Sequence, residues 1–353
     1  MHGALSLLDL GGNSIDIRAG RSPANHDLLT LPMMDIYISM MKASALATAG
    51  RLRLFEALAV EPLEVTAIAT TIGADRDGVE RLADFLVATH YLVRDGAKLA
   101  NAPETTRWFT SCGSVDYSSG LAWTANAWAI MDDLSGAVRR GGPERLLWDR
   151  MTAEPELGRS FALYMLAFAK HVAPDLLRVP NLPVRPKRML DLGGSHGIHS
   201  MAFCDRFPEL RSVIIDLESA VVGTAQRLKG TGLADRVEVR PGDIRTNKWG
   251  DDYDIALYLC VAHNMSITEN REIFQRLAQA MRPGGILIIH DYPRETTPSL
   301  FETAFRLTLL VETGTRTYTF DELSQMVTEA GFFAPTQIVL SPAEKGTLLV
   351  AQR

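Results

Sequence analysis

Arg188-Met189-Leu190-Asp191-Leu192-Gly193-Gly194-Ser195-His196-Gly197 is the stretch whose reading organises the rest of the chain. Its first five residues make a short apolar strand, the next five a tight glycine turn, and Ile198 to Phe207 continues with helical spacing. Glycine suits positions 193, 194 and 197 because the backbone must turn sharply and let a ligand approach with no Cβ in the way. The next strand, Ser212-Val213-Ile214-Ile215-Asp216, ends in a carboxylate placed where it can meet the two ribose hydroxyls of an adenosine-bearing ligand.

Nicotinamide enzymes share a glycine loop followed by an acid, so the later strands have to separate the two readings. Val237-Glu238-Val239-Arg240 leads into Gly242-Asp243-Ile244, Tyr253 to Leu259 ends near His263, and Arg282-Pro283-Gly284-Gly285 precedes the strand Ile286 to Ile289. This order, with an acid after the third strand and Pro-Gly-Gly before the fifth, resembles the class I S-adenosylmethionine-dependent methyltransferases. The expected fold class is therefore α/β, with a Rossmann-like catalytic domain over residues 185–353. The resemblance implies S-adenosyl-L-methionine as cofactor. Gly193, Gly194 and Gly197 would lie near its methionine part, Asp191 at its amino group, Asp216 on the ribose, and Asp243 with Ile244 at the adenine. Glu218 is either a second ribose neighbour or a solvated helix start.

Upstream the pattern is mainly helical. Met33 to Leu58 carries apolar residues at helical spacing, and Pro62 ends the run. Two further helices, Glu64 to Ile72 and Arg76 to Thr89, flank the turn Gly73-Ala74-Asp75. Tyr91-Leu92-Val93 and Lys98-Leu99-Ala100 then enclose Arg94-Asp95-Gly96 as a hairpin. Helix, turn, helix, hairpin is the winged-helix pattern, assigned to residues 29–110. Asp75, Asp77, Glu80 and Asp84 outnumber Arg76 and Arg81 on its second helix, so the expected role is dimerisation and not reading of nucleic acid. Residues 1–28 read as a flexible arm; the copy of the turn motif at Leu8-Asp9-Leu10-Gly11-Gly12 lacks a strand and helix around it and reads as coincidence. Residues 111–184 read as a helical connecting region, closed by a linker holding Pro180, Pro183 and Pro186.

Bulk composition agrees with an ordinary globular protein of two domains: 353 residues, 46% hydrophobic, 22% charged, with 36 basic against 42 acidic residues. That balance gives no reason to attract nucleic acid or an anionic membrane. Cys112, Cys204 and Cys260 form no C-x-x-C pair, so neither a disulfide framework nor a thiolate zinc site is expected. No window of ~18 uncharged apolar residues occurs, and no basic segment leads into an apolar run, which predicts a cytoplasmic protein.

A narrower resemblance then joins the two halves. Winged helix, helical middle and Rossmann domain together are similar to the two-domain small-molecule O-methyltransferases of plant caffeate type and their bacterial natural-product relatives. Phe161 and Tyr164-Met165 stand where that family has a Phe and an Ala-Met pair. Gly314-Thr315-Arg316-Thr317, Phe320 to Glu329 and Ala330-Gly331-Phe332 echo its C-terminal motif. The resemblance implies a general base at the end of the fourth strand, matched by His263 in Val261-Ala262-His263-Asn264. Asp291 matches the first of two supporting acids, where the family usually has Glu. The second has no clear counterpart, with Thr315 or Arg316 near its place and Glu312 just outside the motif. The substrate pocket is expected among Trp123, Asn126, Met131, Phe161, Tyr164, Met165, Phe168, Asn264 and Phe305, and a homodimer through the N-terminal domain.

Other readings stay open at this stage. The fold does not choose between oxygen, carbon and nitrogen acceptors. A member using the bound sulfonium for non-methylating chemistry is compatible with the unmatched second acid. The non-enzyme alternative is a winged-helix regulator sensing adenosyl metabolites. His196, His199, His263, His290 and Asp291 could be imagined around a metal, but they have no recognised ligand spacing, and no metal is expected.

Overall fold

The computed structural model describes residues 32–113, 117–118, 120–341 and 345–353. The segment 1–28 and its second copy of the turn motif lie outside them. The described residues fall into two compact units, one ending at Ser44 and one from Ala45 to Arg353.

The first helix is α1 (Pro32–Arg51), on which Met34, Ile36, Tyr37 and Met40 are exposed. The single run expected from Met33 to Leu58 is in fact broken. Arg53 takes a left-handed conformation at φ 56°, and a second helix, α2 (Leu54–Ala57), starts in a new direction that buries Leu54 and Phe55. There follow β1 (Leu63–Glu64), α3 (Val65–Ile72), α4 (Arg76–Ala88), β2 (Leu92–Asp95) and β3 (Lys98–Asn101). The two hairpin strands pair as expected, and β1 adds a third strand against β3. Asp75 caps α4 by accepting from the Gly78 amide, as a short carboxylate before a helix does. The basic residue Arg76 is engaged by Asp77 and Glu80, and Arg94 of the hairpin by Asp84.

The middle of the chain comprises α5 (Pro103–Phe109), α6 (Gly120–Met131), α7 (Leu134–Arg140), α8 (Leu147–Ala153) and α9 (Pro155–Leu176). It is less continuous than its composition suggested. Gly141, at φ 80°, ends α7, and Gly142-Pro143 cannot resume a helix at once. The long helix α9 packs along α6 and, at its other end, against α10 (Ile198–Arg206).

The remainder alternates β4 (Arg188–Leu192), α10, β5 (Arg211–Asp216), α11 (Glu218–Val221), α12 (Thr224–Lys229), β6 (Val237–Pro241), β7 (Tyr253–Leu259), α13 (Ile267–Ala280), β8 (Met281–Asp291), α14 (Leu300–Glu312), α15 (Phe320–Glu329), β9 (Phe333–Val339) and β10 (Thr347–Gln352). The sheet order is β6-β5-β4-β7-β8-β10-β9, parallel from β6 to β8, with β10 antiparallel to both neighbours. Strands β4 and β7 are almost wholly buried because helices cover both faces, which explains why they read as apolar runs and not as alternating strands. Chain order reverses on either side of β4 and β7. In such sheets the carboxyl ends of the strands flanking the reversal make the ligand crevice. No helix among the described residues is long and apolar enough to cross a membrane.

Candidate active site

The carboxyl end of β4 carries Asp191, which is 1% exposed. One of its oxygens, Oδ2, accepts from the Ser200 hydroxyl at 2.6 Å, while Oδ1 has no hydrogen-bond partner. Burial pushes this carboxyl up to about 7, with the charge of Asp216 adding to the shift. After β4 the chain turns through Gly193 (φ 75°), Ser195 (φ 32°) and Gly197 (φ 74°). The glycines answer first to the protein's own packing. A Cβ on Gly193 would lie 2.4 Å from Val261 Cγ2, one on Gly194 2.5 Å from Asp191 Cγ, and one on Gly197 2.9 Å from Thr224 Cγ2.

Asp216, at the end of β5, accepts from the Ser195 amide at 3.0 Å and the Leu217 amide at 2.7 Å, and burial raises it to about 6. The glycine turn and the second acid are thus one hydrogen-bonded unit. The expected adenine contacts look different. Asp243 is gripped by Arg245 through Nε and Nη2, which holds its carboxyl below the usual range, and Arg245 also reaches Glu269. Ile244 is buried in the core with Trp249 and Tyr253, and its carbonyl accepts from Trp249 Nε1. Loop charge pairing and core packing, neither visible in the residue order, decide both placements.

His263 stands on a single 3₁₀ turn, Ala262–Asn264, just beyond β7. Its Nδ1 lies 2.7 Å from Asp291 Oδ1, and its amide donates to Asp291 Oδ2 at 3.1 Å. Asp291, the last residue of β8, also accepts from the Tyr292 amide at 2.8 Å. Burial opposes ionisation of Asp291, but the imidazole and these donors outweigh it and hold the carboxyl below its ordinary value. A carboxylate on Nδ1 keeps the proton there and leaves Nε2 as the basic nitrogen. The shorter side chain at position 291 therefore reaches the imidazole without help.

A second buried acid near His263 is Glu312. It ends α14, is 9% exposed, interacts electrostatically with His263, and burial lifts its carboxyl to about 7. Its signal in the sequence was a carboxylate closing the mostly apolar run Leu307 to Val311.

Aromatic rings surround this triad. Phe305 meets the His263 ring edge-on at 5.2 Å, and Tyr292 lies 4.9 Å from Phe305. Trp123, Phe161 and Tyr164 pack as a cluster, with Trp123 to Phe161 at 5.0 Å and Trp123 to Tyr164 at 6.0 Å. Tyr117 hydrogen-bonds Tyr164, whose neighbours include Glu312 and Cys260. Phe168 stacks on His290 at 6.0 Å. Met131 packs on the cluster around Trp123, Asn126 and Met165 are half-buried on α6 and α9, and Asn264 donates to the Cys260 carbonyl at 3.3 Å. Tyr117 and Tyr292 were not anticipated. Among the described residues no group of three or more His, Cys, Asp or Glu side chains is placed to hold a metal ion.

A parallel sheet with a reversed final strand, a glycine turn tied to an acid, and a buried histidine backed by carboxylates define an enzyme of the adenosyl-cofactor class. The chain belongs to the O-methyltransferase family, whose cofactor is S-adenosylmethionine: the model of the O-methyltransferase domain matches residues 134–333, more than half of the chain, and that of the O-methyltransferase dimerisation domain matches residues 34–110. The chain is 23% identical over 309 residues to a 3-hydroxy-5-methyl-1-naphthoate 3-O-methyltransferase of Streptomyces sahachiroi, covering 85% of this chain and 88% of that one. It is 26% identical over 228 residues to an L-tyrosine C(3)-methyltransferase of Streptomyces lavendulae, a match covering 62% of this chain and 59% of that enzyme's length. Human N-acetylserotonin methyltransferase, solved in complex with S-adenosylmethionine, superposes with a TM-score of 0.80 at 19% identity, over 91% of this chain and 96% of that one.

Proposed function

We propose that this enzyme methylates a hydroxyl group on an aromatic or polyketide-like small molecule, with His263 as general base. The observation that carries the reading is the hydrogen bond from His263 Nδ1 to Asp291, with Glu312 close by, under a wall of aromatic rings. S-adenosylmethionine, when bound, supplies an electrophilic methyl group on a sulfonium. The residues present suit it: an orphaned carboxylate oxygen on Asp191, a second acid at Asp216, and a turn so tight that any Cβ at positions 193, 194 or 197 would collide. Gly193, Gly194 and Gly197 would border the methionine part, Asp191 its ammonium, Asp216 the ribose, and Asp243 with Ile244 the adenine end.

For this reaction the protein has two tasks, alignment and removal of one proton. His263 Nε2 takes the proton from the acceptor hydroxyl as that oxygen attacks. Asp291 keeps the opposite proton on Nδ1 and, together with ionised Glu312, stabilises the imidazolium that forms. Trp123, Phe161, Tyr164, Phe168 and Phe305 offer flat apolar faces for a ring substrate, with Tyr117 and Tyr292 as added hydrogen-bonding groups. Asn126, Met131, Met165 and Asn264 complete the proposed pocket. Exposed apolar side chains on α1, within the span of the dimerisation domain, favour a homodimer. The reading places the enzyme in the cytoplasm.

The test is transfer of a labelled methyl group to a panel of phenols and naphthols, with the product's attachment atom assigned by NMR. An aryl methyl ether is expected. Attachment at carbon would favour the second reading, which the C-methylating relative supports, and no transfer by protein that binds the cofactor product would point to non-methylating chemistry.

The Glu312 assignment makes a separate prediction. Since burial holds this carboxyl near 7, its ionised, helpful form is gained as pH rises through about 7 and lost below it. Glu312→Gln should lower kcat about tenfold, the equivalent of one pKa unit of charge stabilisation, and remove that titration from the acid limb of the kcat profile. A profile unchanged in shape would mean Glu312 plays no part in the proton transfer.

A further inference from the structure

Asn270, the fourth residue of α13, is fully buried on a helix whose Ile273, Phe274 and Leu277 belong to the apolar core. An amide in such a place costs free energy that an apolar residue of the same size would not, unless its polar atoms are matched. Here each one is. Nδ2 donates to the Ala262 carbonyl at 3.0 Å and to the Met265 carbonyl at 3.3 Å, and Oδ1 accepts from the Tyr258 hydroxyl at 3.0 Å. The partners fix which way the amide faces: carbonyls only accept, so the nitrogen must meet them, and the hydroxyl is left for the oxygen.

The two carbonyls bracket His263. A 3₁₀ turn of three residues has few backbone bonds of its own; this one has the Asn264 amide on the Val261 carbonyl at 2.9 Å and the Met265 amide on the Ala262 carbonyl at 3.1 Å. Asn270 adds one bond at the start of the turn and one just past its end. Tyr318, ahead of α15, donates to the Met265 carbonyl as well, at 2.5 Å. Tyr258, which aims the amide, is itself buried, with its ring edge-on to Phe274 at 5.6 Å. From β8, Asp291 holds the same turn through the His263 amide and the imidazole.

We infer that Asn270 is a positioning residue for the base: with Tyr258 and Tyr318 it fixes the turn by its carbonyls, while Asp291 fixes it by its amide and ring, so that Nε2 is presented in one place. This rests on His263 acting as general base. It gives a purpose to a buried asparagine that neither the strand ends nor the carboxylates beside His263 explain.

The experiment compares wild type, Asn270→Leu and Tyr258→Phe on two acceptors, 1-naphthol, which must lose a proton on the enzyme, and 4-nitro-1-naphthol, already ionised at the assay pH. On 1-naphthol, Asn270→Leu should lower kcat about 10- to 100-fold, the cost of displacing a catalytic group by an ångström or less. Tyr258→Phe should cost about three- to tenfold, the worth of one neutral hydrogen bond, and, removing a single oxygen, it covers the case in which the leucine variant does not fold. On the nitro compound both should stay within a few-fold of wild type, and so should the affinity for S-adenosylhomocysteine by calorimetry. NMR of protein carrying nitrogen-labelled histidine needs no turnover: the low-field Nδ1 proton of His263 on Asp291 should broaden or vanish in Asn270→Leu. Equal losses on the two acceptors, or full rate on 1-naphthol with that proton unchanged, would overturn the positioning role. If wild type methylates neither naphthol, the proton alone decides. His263→Ala, run alongside, separates the two readings: a loss no greater on 1-naphthol than on the nitro compound would overturn the general base and leave the proton signal to judge the clamp.

Discussion

His263→Ala should lower kcat for methyl transfer by about 10²–10⁴-fold, the range general-base catalysis supplies, with the affinity for S-adenosylhomocysteine unchanged. The separation follows from position. His263 sits on the turn after β7 and is held by Asp291 from β8, whereas the glycine turn and Asp216 belong to β4 and β5. Loss of the base removes proton transfer but leaves the methyl donor's site standing. Asp291→Asn should fall between wild type and His263→Ala, because an amide can still hydrogen-bond the imidazole but can no longer stabilise its charged form. Rates would be read by product formation at saturating cofactor, with calorimetry alongside. An unchanged kcat in His263→Ala would remove the histidine from the chemistry.

The second large effect is expected at Asp216. Asp216→Ala should cost about 100-fold or more in affinity for S-adenosylhomocysteine, since two hydrogen bonds to a charged acceptor are lost together. The side chain also holds the Ser195 and Leu217 amides, so its removal loosens the turn that carries Gly193 and Gly197. Calorimetry on protein shown to be folded by circular dichroism gives the number. Binding within a few-fold of wild type would mean that the acid after β5 does not carry the ribose.

How far the sequence alone led can be followed residue by residue. Asp191, the glycine turn, Asp216, His263 and Asp291 were legible because each sits at or beside the end of a strand, where local pattern and catalytic position coincide. The strands from β4 to β8 and the wing of the N-terminal region followed from the same kind of local pattern, whereas their order in the sheet and the antiparallel β10 did not. Glu312 was not legible, because it reaches His263 only through the way α14 packs, and no spacing rule links residues so far apart. Tyr117 and Tyr292 escaped for the same reason. The break at Arg53 was hidden because the residues on both sides keep an apolar, helix-compatible pattern; only the left-handed φ separates them. The purpose of the turn glycines was half seen. Ligand approach was the expected reason, whereas Val261, Asp191 and Thr224 already fill the space a Cβ would need.

The last strand in chain order, β10, lies between β8 and β9 and pairs with β8 from Thr347 opposite Asp291 to Gln352 opposite Ile286. Until that strand is made, β8 has an open edge of Ile286, Leu287, Ile288 and Ile289, and the carboxylate that will hold His263 lies at the end of it. During synthesis the chain up to β9 can thus emerge from the ribosome with that edge of its central sheet unsealed. A sticky β edge is what a nascent chain stalled before residue 347 would offer its neighbours.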